Sequence, residues 1–160
     1  MQEEGVDRET AWLSTSGDGL PALLVSAGGP FDNVQAYWAR VPRTQQHSIY
    51  VTRSDVQDER TANIRTMIRH SFVLRVVWPV LAGTGHAETE QRNLDAAITL
   101  VIGRIRGFTG DKTHGGAFLS VAENPRYVRV TFDPAETTIG PAKEIRASIA
   151  YMADDYEVIS

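Results

Sequence analysis

The most regular pattern in the chain lies between Glu88 and Phe108. Leu94, Ala97, Ile98, Val101, Ile102, Ile105 and Phe108 fall at i, i+3, i+4, i+7, i+8, i+11 and i+14. Those positions share one face of an α-helix, so the spacing predicts a long helix with a single buried stripe. Glu88 and Glu90 near its start and Arg104 and Arg106 near its end complement the helix dipole, and Gly107 is placed to stop it.

Elsewhere the period drops to two. Across Ile64 to Val80, Phe72, Leu74, Val76 and Trp78 project from one face of a predicted strand, and Val73, Arg75 and Val77 from the other. In Lys143 to Met152, Ile145, Ala147, Ile149 and Tyr151 alternate with Arg146, Ser148 and Ala150. Val34 to Arg40, Ser48 to Arg53 and Arg126 to Phe132 are shorter runs rich in β-branched and aromatic residues, and they also read as strands. Near the N-terminus two short helices are expected, Arg8 to Ser16 and Leu20 to Ala27. Gly17-Asp18-Gly19 separates them and Gly28-Gly29-Pro30 ends the second.

The order is therefore helices, strands, one long helix, strands. It predicts an α+β fold, an α/β sandwich, over residues 1–160 as a single domain. A mixed, mainly antiparallel sheet carries one long amphipathic helix packed on it, with short N-terminal helices. A doubly wound nucleotide fold would need more helices between the strands.

Composition narrows the class. With 42% hydrophobic and 22% charged residues, the 160-residue chain resembles an ordinary globular domain rather than a disordered or fibrous one. Its 16 Lys+Arg against 20 Asp+Glu leave a net charge of -4, which argues against a global electrostatic grip on nucleic acid or an anionic membrane. Apolar runs such as Val76 to Ala82 are too short to cross a bilayer, and the acidic start Met-Gln-Glu-Glu-Gly is unlike a signal peptide. Assembly in a cytoplasm is the expectation. Zero cysteines exclude disulfides, a cysteine nucleophile and thiolate metal sites.

The chain carries no complete catalytic or ligand-binding motif. His47, His70, His86 and His114 form no short metal-ligand spacing, and no metal or other cofactor is expected. His47 and His70 read as strand-flanking surface or interface residues. The chain contains no Gly-x-Ser-x-Gly elbow. Gly110-Asp111-Lys112-Thr113-His114-Gly115-Gly116 places Lys-Thr beside glycines, but Asp111 intervenes between Gly110 and Lys112 and the loop follows a helix. The phosphate-binding geometry at a helix N-terminus is therefore not met. This segment is either a docking loop or a plain helix-to-strand connection. Carboxylates cluster at Asp55, Asp58 and Glu59 and at Asp154, Asp155 and Glu157, and both clusters read as solvated faces. Asp58 to Asn63 reads as an exposed loop between strands. The arginines from Arg40 to Arg75 lack a nucleic-acid motif and suit inter-subunit salt bridges better.

Taken together, several segments resemble the tail terminator proteins of long-tailed bacteriophages, especially those infecting actinobacteria. They are Val41-Pro42-Arg43 with Ile49-Tyr50-Val51-Thr52-Arg53, His70-Ser71-Phe72 leading to Trp78-Pro79, the helix from Ala87 to Gly107, Asp111 to Gly116 with Phe118 to Glu123, and the closing Ile145 to Asp155. The resemblance spans nearly the whole chain, and a bias of 14 Arg to 2 Lys fits a GC-rich genome.

The resemblance implies a structural virion protein rather than an enzyme. It implies a homohexameric ring in the neck region that caps the tail tube, ends tube polymerisation and joins the head connector or stopper protein. The implied partners are further copies of the chain, the tail tube protein and the connector; DNA passes through the ring without sequence-specific binding, and no membrane is involved. Asp55, Asp58, Glu59 and Arg60, and Asp111, Lys112 and His114, are the expected contact residues on two loops that order on binding. A stopper or head-completion protein is the alternative within the neck, and a small nucleotide-binding enzyme the alternative outside it.

Overall fold

The computed structural model describes residues 5–15, 22–37, 46–62, 65–79, 87–106, 113–114, 118, 120–122, 128–132 and 144–158. Its elements are α1 (Gly5–Leu13), a 3-10 turn (Val25–Ala27), β1 (Asn33–Ala36), β2 (Ser48–Ala62), β3 (Arg65–Pro79), α2 (Ala87–Ile105), β4 (Ser120–Val121), β5 (Arg129–Phe132) and β6 (Glu144–Val158). Six strands form one sheet in the order β1-β2-β3-β6-β4, with β5 also pairing β6. β1 runs parallel to β2 and all other pairings are antiparallel. The fold is thus α+β, with a mixed, mainly antiparallel sheet.

Three long strands dominate it. β2 and β3 pair from Ser48 opposite Val77 to Ala62 opposite Arg65, and β3 and β6 pair from Arg65 opposite Val158 to Pro79 opposite Glu144. At about 3.3 Å per residue such strands extend roughly 50 Å. The alternation in β3 does what its spacing predicts: Phe72, Leu74, Val76 and Trp78 are buried with Ile49 and Val51 on one side and Ala147, Ile149 and Tyr151 on the other. Leu94, Ala97, Ile98, Val101 and Ile105 of α2 enter the same core, as do Val6, Trp12 and Leu13 of α1. The Trp78 indole N–H donates to Glu90 at 3.0 Å, tying β3 to α2.

Several expectations need correction. The second N-terminal helix is a single 3-10 turn ending at Gly28, whose φ of 94° is left-handed. Its surroundings are extended instead: Phe31 N–H donates to Leu23 O and Val25 N–H to Phe31 O, so these groups are engaged across the chain rather than along a helix. α1 starts earlier than Arg8 and stops at Leu13, where the Ser14 and Thr15 hydroxyls bond back to the Thr10 and Ala11 carbonyls. β1 stops at Ala36, before the left-handed Tyr37 (φ 66°). Gly107 and Phe108 lie outside the described residues. No helix among the described residues is long and apolar enough to cross a membrane.

The largest correction concerns the stretch read as a loop. Asp55, Asp58, Glu59 and Arg60 lie within β2, which stays paired with β3 through Ala62; Asn63 lies outside the described residues. A register shift between Arg53 and Asp55 leaves Ser54 as an extra residue, a bulge that reverses the facing from Asp55 to Arg60, where a second shift before Ala62 restores it. Up to Arg53 the odd positions share the core face, whereas beyond it Val56 and Asp58 align with His70 and Ile68. The polar sequence is held in extended form by its ladder, not by hydrophobic alternation. β6 likewise runs on to Val158 because its partner β3 continues.

Candidate interaction surface

The two edges of the sheet differ. β1 covers β2 only from Ser48 to Val51, and Tyr37 N–H adds a last bond to Val51 O. Beyond that point no strand among the described residues pairs with the outer edge of β2. Asp55 and Asp58 are exposed along it, and Glu59 and Arg60 continue the same strand. Tyr37 stands where β1 leaves the edge, half-exposed in a backbone conformation that non-glycine residues seldom adopt. On the opposite side β6 is covered by β5 at Ala147–Ala150 and by β4 at Ala153–Asp154. Free backbone N–H and C=O groups on an edge strand form a ready template for another strand, and charges along it select which one.

Asp111 and Lys112 lie outside the described residues, but His114 is described, and it faces inward. It is 1% exposed, in a left-handed conformation with φ 52°. Its Nδ1 lies 2.9 Å from the Glu9 carboxylate and its Nε2 2.8 Å from Ile105 O. A carbonyl only accepts, so Nε2 carries a proton, and contact of Nδ1 with a carboxylate oxygen requires one more proton between the pair. Tyr151 donates to the other side of Glu9 at 2.7 Å. Burial, reinforced by that carboxylate, pushes the Tyr151 pKa well above its ordinary value.

The His114 ring stacks on Trp12 at 3.6 Å, and the Arg104 guanidinium also lies over the Trp12 ring and donates to the Trp12 carbonyl. Arg104 lies in the last turn of α2, as expected, and is fully buried. Glu9, His114 and Tyr151 are residue types found in proton-transfer sites. Here all three are sealed from solvent, so the arrangement cross-links α1, α2 and β6 and gives no access to a substrate. The expectation that His114 is an exposed partner contact is therefore corrected.

A second histidine is buried as well. His70, expected at a surface or interface, is fully buried against Gly5, Phe72 and Phe118. Arg53 Nη1 donates to its Nδ1 at 3.4 Å, which assigns the hydrogen to Nε2, and Nε2 has no partner among the described residues. Burial first, then the Arg53 and Arg8 charges, lower its pKa to about 4. The C-terminal acidic cluster is only partly solvated: Asp154 is buried and accepts from Arg69 at 2.9 Å, and Asp155 accepts from Arg8 at 2.9 Å. Arg69, expected to suit inter-subunit bridges, is engaged within the chain.

A cleft of about 490 Å³ opens between the Gly28-Gly29-Pro30 turn, the start of β2 and α2. His47 lies in it, stacked on Trp78 at 3.7 Å with Nε2 3.3 Å from Pro79 O. Among the described residues no group of three or more His, Asp or Glu is placed to hold a metal ion. No protein-family model matches the chain, and a search of curated proteins finds no match.

Proposed function

We propose that this chain is the tail terminator of a long-tailed bacteriophage. In this reading it is a virion protein of the neck that closes into a homohexameric ring on the last ring of the tail tube. It ends tube polymerisation and presents the joint to the head connector or stopper protein, with assembly taking place in the host cytoplasm.

The observation that carries this reading is the charged edge of β2, which no described strand covers beyond Val51, opposite a differently built edge where β4 and β5 pair with β6. A closed ring needs two unlike patches on each subunit, one for each neighbour. The long β2-β3-β6 ladder supplies a stiff element on which such patches hold a fixed angle, as ring closure requires. A net charge of -4 suits a ring through which DNA passes without being held. The buried histidine network adds rigidity rather than reactivity, in keeping with a structural role.

Native mass spectrometry and negative-stain electron microscopy of the purified protein, alone and mixed with tail tubes, test the reading. Six-membered rings, or caps at one end of the tubes, are the expected result. A protein that remains monomeric at high concentration and leaves tube ends bare would overturn it.

A further inference from the structure

We propose that the cleft between the Gly28-Gly29-Pro30 turn and α2 is a socket for an arginine side chain from a second copy of this chain; the source rests on the ring reading above. Glu90 is the polar anchor of the cleft. Its carboxylate is about one-fifth exposed, and the Trp78 indole N–H fixes one oxygen at 3.0 Å. His47 approaches the same oxygen only to 4.0 Å. No lysine or arginine among the described residues pairs with it, whereas Asp154 and Asp155 each hold an arginine. A half-buried carboxylate with spare acceptor sites is unfavourable alone and is matched by a forked cationic donor.

The walls suit the rest of such a side chain. Ala96, Ala97 and Leu100 provide an apolar surface along which methylenes can lie, and the stacked His47 and Trp78 rings form a second wall. A volume of about 490 Å³ accommodates one long side chain with its flanking backbone. Guanidinium fits better than ammonium because two parallel N–H groups can engage the carboxylate while the plane lies against the walls. Copies of this chain offer that group in abundance, since 14 of the 16 cationic side chains are arginine. Arg129 is exposed on β5, at the sheet edge opposite β1, where a head-to-tail contact needs it.

The test is a titration of isotope-labelled protein, following the Trp78 indole N–H resonance identified by its loss in Trp78→Phe. The probes are N-acetyl-L-arginine amide and its neutral isostere N-acetyl-L-citrulline amide. Saturable shifts with the arginine compound are expected, at least tenfold weaker with citrulline and with Glu90→Gln. Equal responses to both compounds would overturn the socket, and this comparison needs only the wild-type protein. Sedimentation then tests the source: Glu90→Gln, or saturating arginine amide on the wild type, should lower the ring population at least tenfold. Rings of Glu90→Gln as abundant as wild type would overturn a second copy as donor. If the wild type forms no rings, the ring reading and the proposed donor fail, while the titration independently decides whether the cleft takes a guanidinium.

Discussion

Gly5 owes its identity to a ring sixty-five positions away in sequence. A Cβ placed there would meet His70 Cε1 at 2.7 Å and Nδ1 at 2.9 Å, and Phe72 and Phe118 close the other sides of that ring. Gly5→Ala should therefore destabilise the fold by about 1–3 kcal/mol through overpacking, despite the better helix propensity of alanine. A lowered midpoint in urea with unchanged slope would register it. His70 itself links stability to pH. Its folded pKa of about 4 lies below the ordinary 6.5, so the unfolded chain takes up the proton first as pH falls. Stability is retained above about pH 6.5 and lost progressively toward pH 4, by on the order of 2–3 kcal/mol. His70→Phe should flatten that acid limb, as pH-dependent denaturation curves of the two proteins would reveal. From sequence His70 reads as a surface or interface residue, although its shared parity with Phe72 and Leu74 is a signal that points to burial. The Gly5 contact was not legible, because nothing local couples a helix start to a distant strand.

At the scale of elements, legibility followed hydrophobic periodicity. α2 was readable because Leu94, Ala97, Ile98 and Val101 must all face one way for their burial to stabilise it, and Leu94→Ala should cost about 2–5 kcal/mol in thermal or chemical unfolding. The second halves of β2 and β6 were not readable. Asp55 to Ala62 and Ala153 to Val158 lack an apolar alternation, and their extended form comes from pairing with β3, a long-range cause that no local window contains. The Glu9, His114 and Tyr151 contacts were invisible for the same reason, since three separate elements bring them together. Tyr151→Phe removes the donor to a buried carboxylate oxygen and should destabilise by about 1–3 kcal/mol, measurable by urea unfolding at neutral pH. In the intact protein the burial of Tyr151, reinforced by the Glu9 charge and by this hydrogen bond, makes stability fall above about pH 10, where unfolded tyrosine ionises and folded Tyr151 does not.

At the scale of the whole molecule, the two sheet edges turn a fold into a proposal about assembly. Asp55 is exposed just beyond the Ser54 bulge on the edge of β2 that no described strand covers, and Arg129 is exposed on β5 at the other side of the sheet. If neighbours meet edge to edge, opposite charges on unlike edges favour head-to-tail contact over a symmetric one, which would bring like charges together. Asp55→Lys separates that role from folding. An exposed substitution of this kind should change monomer stability by no more than about 0.5 kcal/mol, so its urea midpoint should match wild type. Ring formation should nevertheless fall by an order of magnitude in sedimentation at low salt, because the reversed charge repels the neighbour it formerly attracted. Raising the salt concentration should narrow the difference between the two proteins as screening shortens the reach of both interactions. Equal assembly of Asp55→Lys and wild type at low salt would remove the β2 edge from the contact and place the neighbour elsewhere on the surface.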